Sequence, residues 1–156
     1  ETGLSFIENA ILKARHAAQA TGRPAIADDS GLVVPALGGA PGIYSARYSG
    51  GGDTENNAKL LSEMRHLTGE DRAAFYVAVI AVVMSESDPL PIIAEGRWYG
   101  AISFELSGTG GFGYDPLFIP ESSRCTAAEM SLAEKQALSH RAKALKALAP
   151  KLSNCQ

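Results

Sequence analysis

Residues Ala73 to Met84 form a long apolar, β-branched run, and no other stretch narrows the possible folds as much. Val77 to Met84, its uninterrupted apolar part, is far short of the ~20 residues that a membrane helix needs. The run is therefore read as a central strand buried on both faces, which calls for packing layers on each side of its sheet. A chain of 156 residues, 46% hydrophobic and 20% charged, has the material for such layers. That balance excludes intrinsic disorder, and the two cysteines are too few for a disulfide-stapled miniprotein. The length suits one domain, expected over 1–156.

Helical and extended patterns alternate around this strand. Ser5-Phe6-Ile7-Glu8 has the form of a capping box, and the helix it opens is predicted to run to Thr21, with Gly22 as its stop. Its apolar face reads Phe6, Ala10, Ile11, Ala14, Ala17 and Ala18, while Asn9, Lys13 and His16 share another face, read as solvated. Pro24 to Ala27 reads as a short buried strand ending at a turn, Asp28-Asp29-Ser30-Gly31, and Gly31 to Val34 as a second extended piece. The glycine-rich stretch from Leu37 to Gly52 is expected to be mostly loop. Asp53 to Leu67 is predicted as a helix, acidic at its start, with Leu60, Leu61, Met64 and Leu67 inward. Ile92 to Trp98 and Ala101 to Leu106 read as two strands around Gly100. Two successive capping boxes, Thr126–Glu129 and Ser131–Glu134, announce a short helix and then a longer one. Leu138, Ala142, Leu145, Ala149 and Leu152 give a helical stripe that Ser139 either interrupts as a fresh N-cap or does not.

The net charge of −3 and a pI near 5.6 argue against a protein that holds a nucleic-acid polymer electrostatically. A small anionic substrate remains open, since one metal ion or a few lysines override so weak a field. Cys125 and Cys155 show no metal-ligand spacing and are expected as free thiols in a reducing, cytoplasmic setting. No signal peptide is visible ahead of the first amphipathic segment.

Several residue groups have the makings of chemistry. Asp28 and Asp29 are adjacent carboxylates, and because successive strand residues point to opposite faces, one of them at most enters a given cleft. Turn chemistry explains them as well as a hard-oxygen Mg²⁺ site or a general base does. Gly108-Thr109-Gly110-Gly111-Phe112-Gly113 matches the dinucleotide fingerprint only by coincidence, since Pro116 follows where a helix would have to begin. The loop is either a flexible turn or, through Phe112, Gly113, Tyr114 and Asp115, a surface that stacks on a base and hydrogen-bonds to it or its sugar. His140 has no Cys or second His at ligand spacing, which argues against zinc. No serine sits in a nucleophile elbow.

In combination these pieces are distinctive. Thr2 to Ala10, Lys13-Ala14, Ala27-Asp28-Asp29-Ser30-Gly31-Leu32, Leu37 to Gly42, Gly110 to Pro116, and Lys135 through Ser139-His140-Arg141 follow one another in order. The series closely resembles the inosine triphosphate pyrophosphatase family, house-cleaning hydrolases of deaminated purine nucleotides, over essentially the whole chain. The resemblance implies an α/β (mixed α+β) fold: a long twisted mixed sheet with flanking helices, in two lobes around a nucleotide cleft, commonly as a homodimer. It implies Mg²⁺-dependent hydrolysis of ITP, dITP or XTP to the nucleoside monophosphate and pyrophosphate.

By the same resemblance Asp29 ligates Mg²⁺ and helps activate water, with Asp28 and Glu1 as further metal-ligand candidates. Ser30 lies beside the substrate and Lys13 reaches the phosphates. Phe112, Gly113, Tyr114 and Asp115 pack on the purine and contact the sugar, and Lys135, His140 and Arg141 recognise the base. Donors suited to a 6-oxo group would be left unpaired by the amino group of adenine.

The family pattern begins with a strand and a Thr/Ser-Gly-Asn-x-x-Lys phosphate loop that this sequence does not contain. The chain is accordingly expected to be an N-terminally truncated form. It is either an active pyrophosphatase whose upstream segment is missing only here, or a non-catalytic remnant with weak purine-nucleotide binding.

Overall fold

The structure, a computed structural model, describes residues 2–154. Glu1 and Cys155 lie outside the described residues; Cys125 is a free, exposed thiol. In chain order the regular elements are α1 (Phe6–Thr21), β1 (Ala25–Val33), α2 (Asp53–Met64), β2 (Ala73–Val83), β3 (Ile92–Ile102), β4 (Phe118–Pro120), α3 (Leu132–Leu138) and α4 (His140–Ser153). The strands form one sheet in the order β1-β2-β3-β4. β4 runs antiparallel to β3, with Gly100 opposite Pro120 and Ile102 opposite Phe118. No described helix is long and apolar enough to cross a membrane. The fold is mixed α/β, as expected. By packing it divides into two compact units, one made of residues up to Ser30, Val77–Arg97 and from Ser139 onward, the other of Gly31–Tyr76 and Trp98–Leu138.

In the first unit, Ser5 caps α1 by accepting the Glu8 amide at 3.2 Å, and the Glu8 carboxylate accepts the Leu4 amide at 2.7 Å. α1 buries Ala10, Ala14 and Ala18, as its apolar stripe predicts, but also Asn9. Asn9 is not on a solvated face; its Oδ1 accepts the Gly3 amide at 2.9 Å and ties the chain ahead of the helix to it. β1 passes unbroken through Asp28-Asp29-Ser30-Gly31, where a turn was expected. Its place beside β2 in the sheet outweighs the local preference of Asp and Ser for turns. β2 is the doubly buried strand its sequence announces.

Ala78 and Ile80 of β2, Ala94 of β3, and Ala144 and Leu148 of α4 make one core. Ser139 does begin α4 afresh, accepting the Ala142 amide at 3.2 Å. The inward face of α4 is His140, Ala144 and Leu148, not the Leu138–Leu152 stripe, of which Leu145 and Leu152 remain exposed. The reason is Gly96 of β3. A Cβ built there would collide with the Ala144 backbone nitrogen and the His140 carbonyl, so the α4 backbone seats directly on the strand. Small residues, rather than the largest apolar ones, choose the docking face. Across the β2–β3 turn, Asp88 accepts the Met84 and Leu90 amides at 2.8 and 2.9 Å, and Arg15 of α1 donates to the Glu86 and Asp88 carbonyls.

In the second unit, Tyr76, Trp98 and Phe118 pack edge to face and stacked, with Phe118 4.7 Å from the Tyr76 ring and 5.2 Å from Trp98. Leu60 and Met64 of α2 complete this core, as their spacing predicts. β3 is one strand through Gly100, not two around it, because its end is held by β4, an element the sequence did not announce. The stretch expected as loop holds two 3₁₀ turns, Pro35–Leu37 and Gly42–Arg47. Arg72 is buried and donates to four carbonyls, those of Met64, Leu67, Ile102 and Ser103, which ties the end of α2 to the end of β3.

Two stability results follow from these contacts. Gly96→Ala is expected to cost about 1–3 kcal/mol, the range for forcing atoms into a filled space; denaturant melts of the two proteins measure it. The Met84 and Leu90 amides hold the Asp88 carboxyl below the usual range. A depressed folded pKa contributes stability that is present above the unfolded value of about 3.9 and lost as pH falls through the folded one. Thermal melts are expected to show Asp88→Asn less stable than the parent near neutrality, with the difference closing below about pH 4.

Candidate active site

In the first unit the two-residue period of β1 sorts its polar side chains. Asp28 and Ser30 share one face, and Arg141, in the first turn of α4, binds both: Nε meets Asp28 Oδ2 at 3.3 Å and Nη2 donates to Ser30 Oγ at 2.9 Å. Asp29 lies on the other face and is buried. Lys13 of α1 donates to its Oδ1 at 2.7 Å and to the Asp28 carbonyl at 3.3 Å. Its second oxygen, Oδ2, is buried and accepts no hydrogen bond from the described residues. Asp29 therefore offers one hard, desolvated oxygen with its position fixed from the other side, which fits one ligand position of a Mg²⁺ ion. No group of three or more His, Cys, Asp or Glu able to hold a metal occurs among the described residues, so the remaining positions would fall to water and substrate oxygens, as Mg²⁺ favours. His140, the first residue of α4, is buried.

In the second unit the glycine loop is built on a buried carboxylate. Asp115 is 3% exposed. Its Oδ1 accepts the Tyr76 hydroxyl at 3.2 Å; its Oδ2 accepts the Phe112 amide at 3.0 Å and pairs with the Lys135 ammonium. Burial, and then the Asp115 charge, push the Tyr76 hydroxyl well above its ordinary pKa, so it stays a donor. Gly111 has φ +68°, and a Cβ there would run into the Asp115 carboxylate, so only glycine lets the loop wrap so closely. Lys135 Nζ stands 4.4 Å from the centre of the Phe112 ring, a cation–π contact. That ring is 61% exposed.

The expected roles of this loop need adjusting. Tyr114 does not present its ring: it is part of the core, its hydroxyl donates to the Ser45 carbonyl at 2.7 Å, and burial raises its pKa. Both Asp115 oxygens are engaged inside the loop, which makes the carboxylate an organiser rather than a group turned outward.

The structure thus gathers the predicted residues into two groups. Lys13, Asp28, Asp29, Ser30, His140 and Arg141 belong to the first unit, and Phe112, Gly113, Tyr114, Asp115 and Lys135 to the second. Sequence reasoning missed Tyr76, whose hydroxyl is hidden in the apolar β2 run, and Asp53 and Asn57 of α2, which hold Gly113. The i, i+4 spacing of the last two was the available signal. Removing one partner of a buried ion pair costs about 3–5 kcal/mol, so Lys135→Ala is expected to destabilise by roughly that much. Adding Asp115→Asn to Lys135→Ala should recover part of the loss. Chemical denaturation of the single and double variants checks this, and a double variant no more stable than Lys135→Ala would contradict it.

Residues 1–151 match the model of the Ham1 family. A dITP/XTP pyrophosphatase of Haemophilus influenzae is 56% identical over 97% of this chain and 79% of its own length. One of Pseudomonas aeruginosa is 57% identical over 97% of this chain and 78% of its own. Among solved structures, a HAM1 protein from Coxiella burnetii superposes with a TM-score of 0.93 at 48% identity, covering 99% of this chain and 80% of that one. A nucleoside-triphosphatase, dITP/XTP pyrophosphatase, from Mycobacterium abscessus gives 0.84 at 45% identity, over 97% and 78%.

Proposed function

The chain belongs to the Ham1 family, and from that premise we propose that it is a Mg²⁺-dependent pyrophosphatase of ITP, dITP and XTP. It hydrolyses the bond between the α and β phosphates, releases the nucleoside monophosphate and pyrophosphate, and so removes deaminated purines from the nucleotide pool. We assign it to the cytoplasm, as a homodimer. The observation that carries the reading is the buried Asp29 carboxylate, held at Oδ1 by Lys13 and without a hydrogen-bond partner at Oδ2 among the described residues.

Asp29 is the residue that would hold Mg²⁺. Bound there, the ion would offset phosphate charge and lower the pKa of a water. Lys13 fixes the rotation of the Asp29 carboxylate and offers its ammonium to phosphate oxygens. With Oδ1 held by Lys13, Asp29 would help activate the attacking water through the ion it holds. Ser30 lies beside the substrate, its hydroxyl oriented by Arg141. Asp28, paired with Arg141, has the lesser part of keeping that guanidinium in place.

In the second unit, the exposed Phe112 ring stacks on the purine, with Lys135 beside it. Of the residues expected to recognise the base, His140 and Arg141 belong to the first unit, with Arg141 committed to Asp28 and Ser30; Lys135 supplies the ammonium donors for the 6-oxo group. Adenine presents a donor at that position and leaves them unpaired, a mismatch that discriminates strongly.

Pyrophosphate release is expected from ITP and XTP with Mg²⁺ present and to be much slower from ATP. Comparable turnover of ATP and ITP would contradict the base assignment. Asp29→Asn is expected to lower kcat about 10²-fold or more, and Asp28→Asn distinctly less. Steady-state kinetics of the two variants decide between the carboxylates, and near-normal kcat in Asp29→Asn with a dead Asp28→Asn would reverse the assignment.

A further inference from the structure

We propose that the first turn of α2 is a clamp on the base-recognition loop: Asp53 and Asn57 hold the backbone of Gly113 and thereby set how tightly the purine is bound. Asp53 Oδ2 accepts the Gly113 amide at 2.8 Å. Asn57 Nδ2 donates to the Gly113 carbonyl at 2.9 Å and to the Asp53 carbonyl at 2.8 Å. Both polar groups of one residue are thus taken by one helix turn. The two carbonyl acceptors also fix the orientation of the Asn57 amide, because only its nitrogen donates.

The position of Gly113 gives this clamp its leverage. The residue lies between Phe112, whose ring is largely exposed, and Tyr114, whose ring is anchored in the core. Upstream, the loop is pinned where the Gly110 amide meets the Ala128 carbonyl at 3.1 Å. A glycine-rich segment loses more conformational entropy on ordering than any other kind. With both ends held before the ligand arrives, that cost is not charged against binding. A cavity of about 240 Å³, lined by Asp53, Thr54, Asn57 and the glycine loop, leaves space on this side for the loop to shift if the clamp is cut.

Asp53 and Asn57 are positioning residues, acting through Phe112 and its neighbours. The claim about purine affinity rests on the pyrophosphatase reading given above; the mechanical claim does not. Because neither side chain is assigned to the phosphates, losing the clamp should weaken ground-state and transition-state binding alike, which raises KM and leaves kcat alone.

The test compares the parent with Asp53→Ala, Asn57→Ala and Asp53→Asn, the last of which keeps an acceptor for the Gly113 amide. Two quantities are read: KM and kcat for ITP, and amide hydrogen exchange over residues 108–113 without nucleotide. Asp53→Ala and Asn57→Ala are expected to raise KM about tenfold, with kcat within about twofold, and to speed loop exchange about tenfold. Asp53→Asn should restore most of both. Unchanged loop exchange, or a lowered melting temperature with KM unmoved, overturns the clamp. If the parent does not turn over ITP, the functional reading falls, and the exchange data still decide the clamp. Asp53 is exposed at the helix start, so Asp53→Ala carries the test should Asn57→Ala fail to fold.

Discussion

The side-chain alternation of one extended strand is the constraint on which the chemistry proposed for Asp29 depends. In β1, a shift of one residue carries a side chain to the opposite face. Asp28 and Ser30 therefore meet the guanidinium of Arg141, while Asp29 is driven into a buried position against Lys13. Two carboxylates adjacent in sequence acquire different surroundings and different uses without any change of residue type. Had the chain turned at this point, both would be solvated and interchangeable. The doubly buried β2 beside β1 is what keeps the strand extended.

In the second unit the organising element is the inward-facing Asp115 carboxylate. A tyrosine hydroxyl, a backbone amide and an ammonium converge on it, so the cost of burying its charge is met by charge-assisted hydrogen bonds. The same convergence shapes the loop: Phe112 is drawn over the carboxylate by its own amide, and Lys135 is delivered to the Phe112 ring by its ion pair. Rigidity in a glycine-rich segment is here a product of buried electrostatics and of the helix turn that holds Gly113.

Much of this was legible in the residues. The β2 run, the cap at Ser5, and the opposite-face placement of Asp28 and Asp29 follow from local rules that act over a few positions, whereas the sequence left the cap at Ser139 open. The elements misjudged are those decided by long-range contact. β1 crosses a turn-prone Asp-Asp-Ser-Gly because its ladder outweighs local preference, and β3 crosses Gly100 because β4 pairs with it there. α4 turns His140, Ala144 and Leu148 inward because Gly96 admits its backbone, although the Leu145 stripe is more apolar. At the site, Lys135, His140 and Arg141 read from the sequence as one set, yet Lys135 belongs to the second unit and the other two to the first; the burial of Tyr114 and the inward turn of Asp115 likewise depend on packing that no spacing rule encodes.

Division of labour between Asp28 and Asp29 is the central claim, and metal binding read without turnover tests it most directly. Mn²⁺ serves as a paramagnetic stand-in for Mg²⁺, and the loss of its free-ion resonance on adding protein reports binding. The parent and Asp28→Asn are predicted to bind Mn²⁺ with similar affinity, and Asp29→Asn to leave the free-ion signal largely undiminished. Retention of binding in Asp29→Asn together with its loss in Asp28→Asn would contradict the assignment of the metal to the buried face of β1.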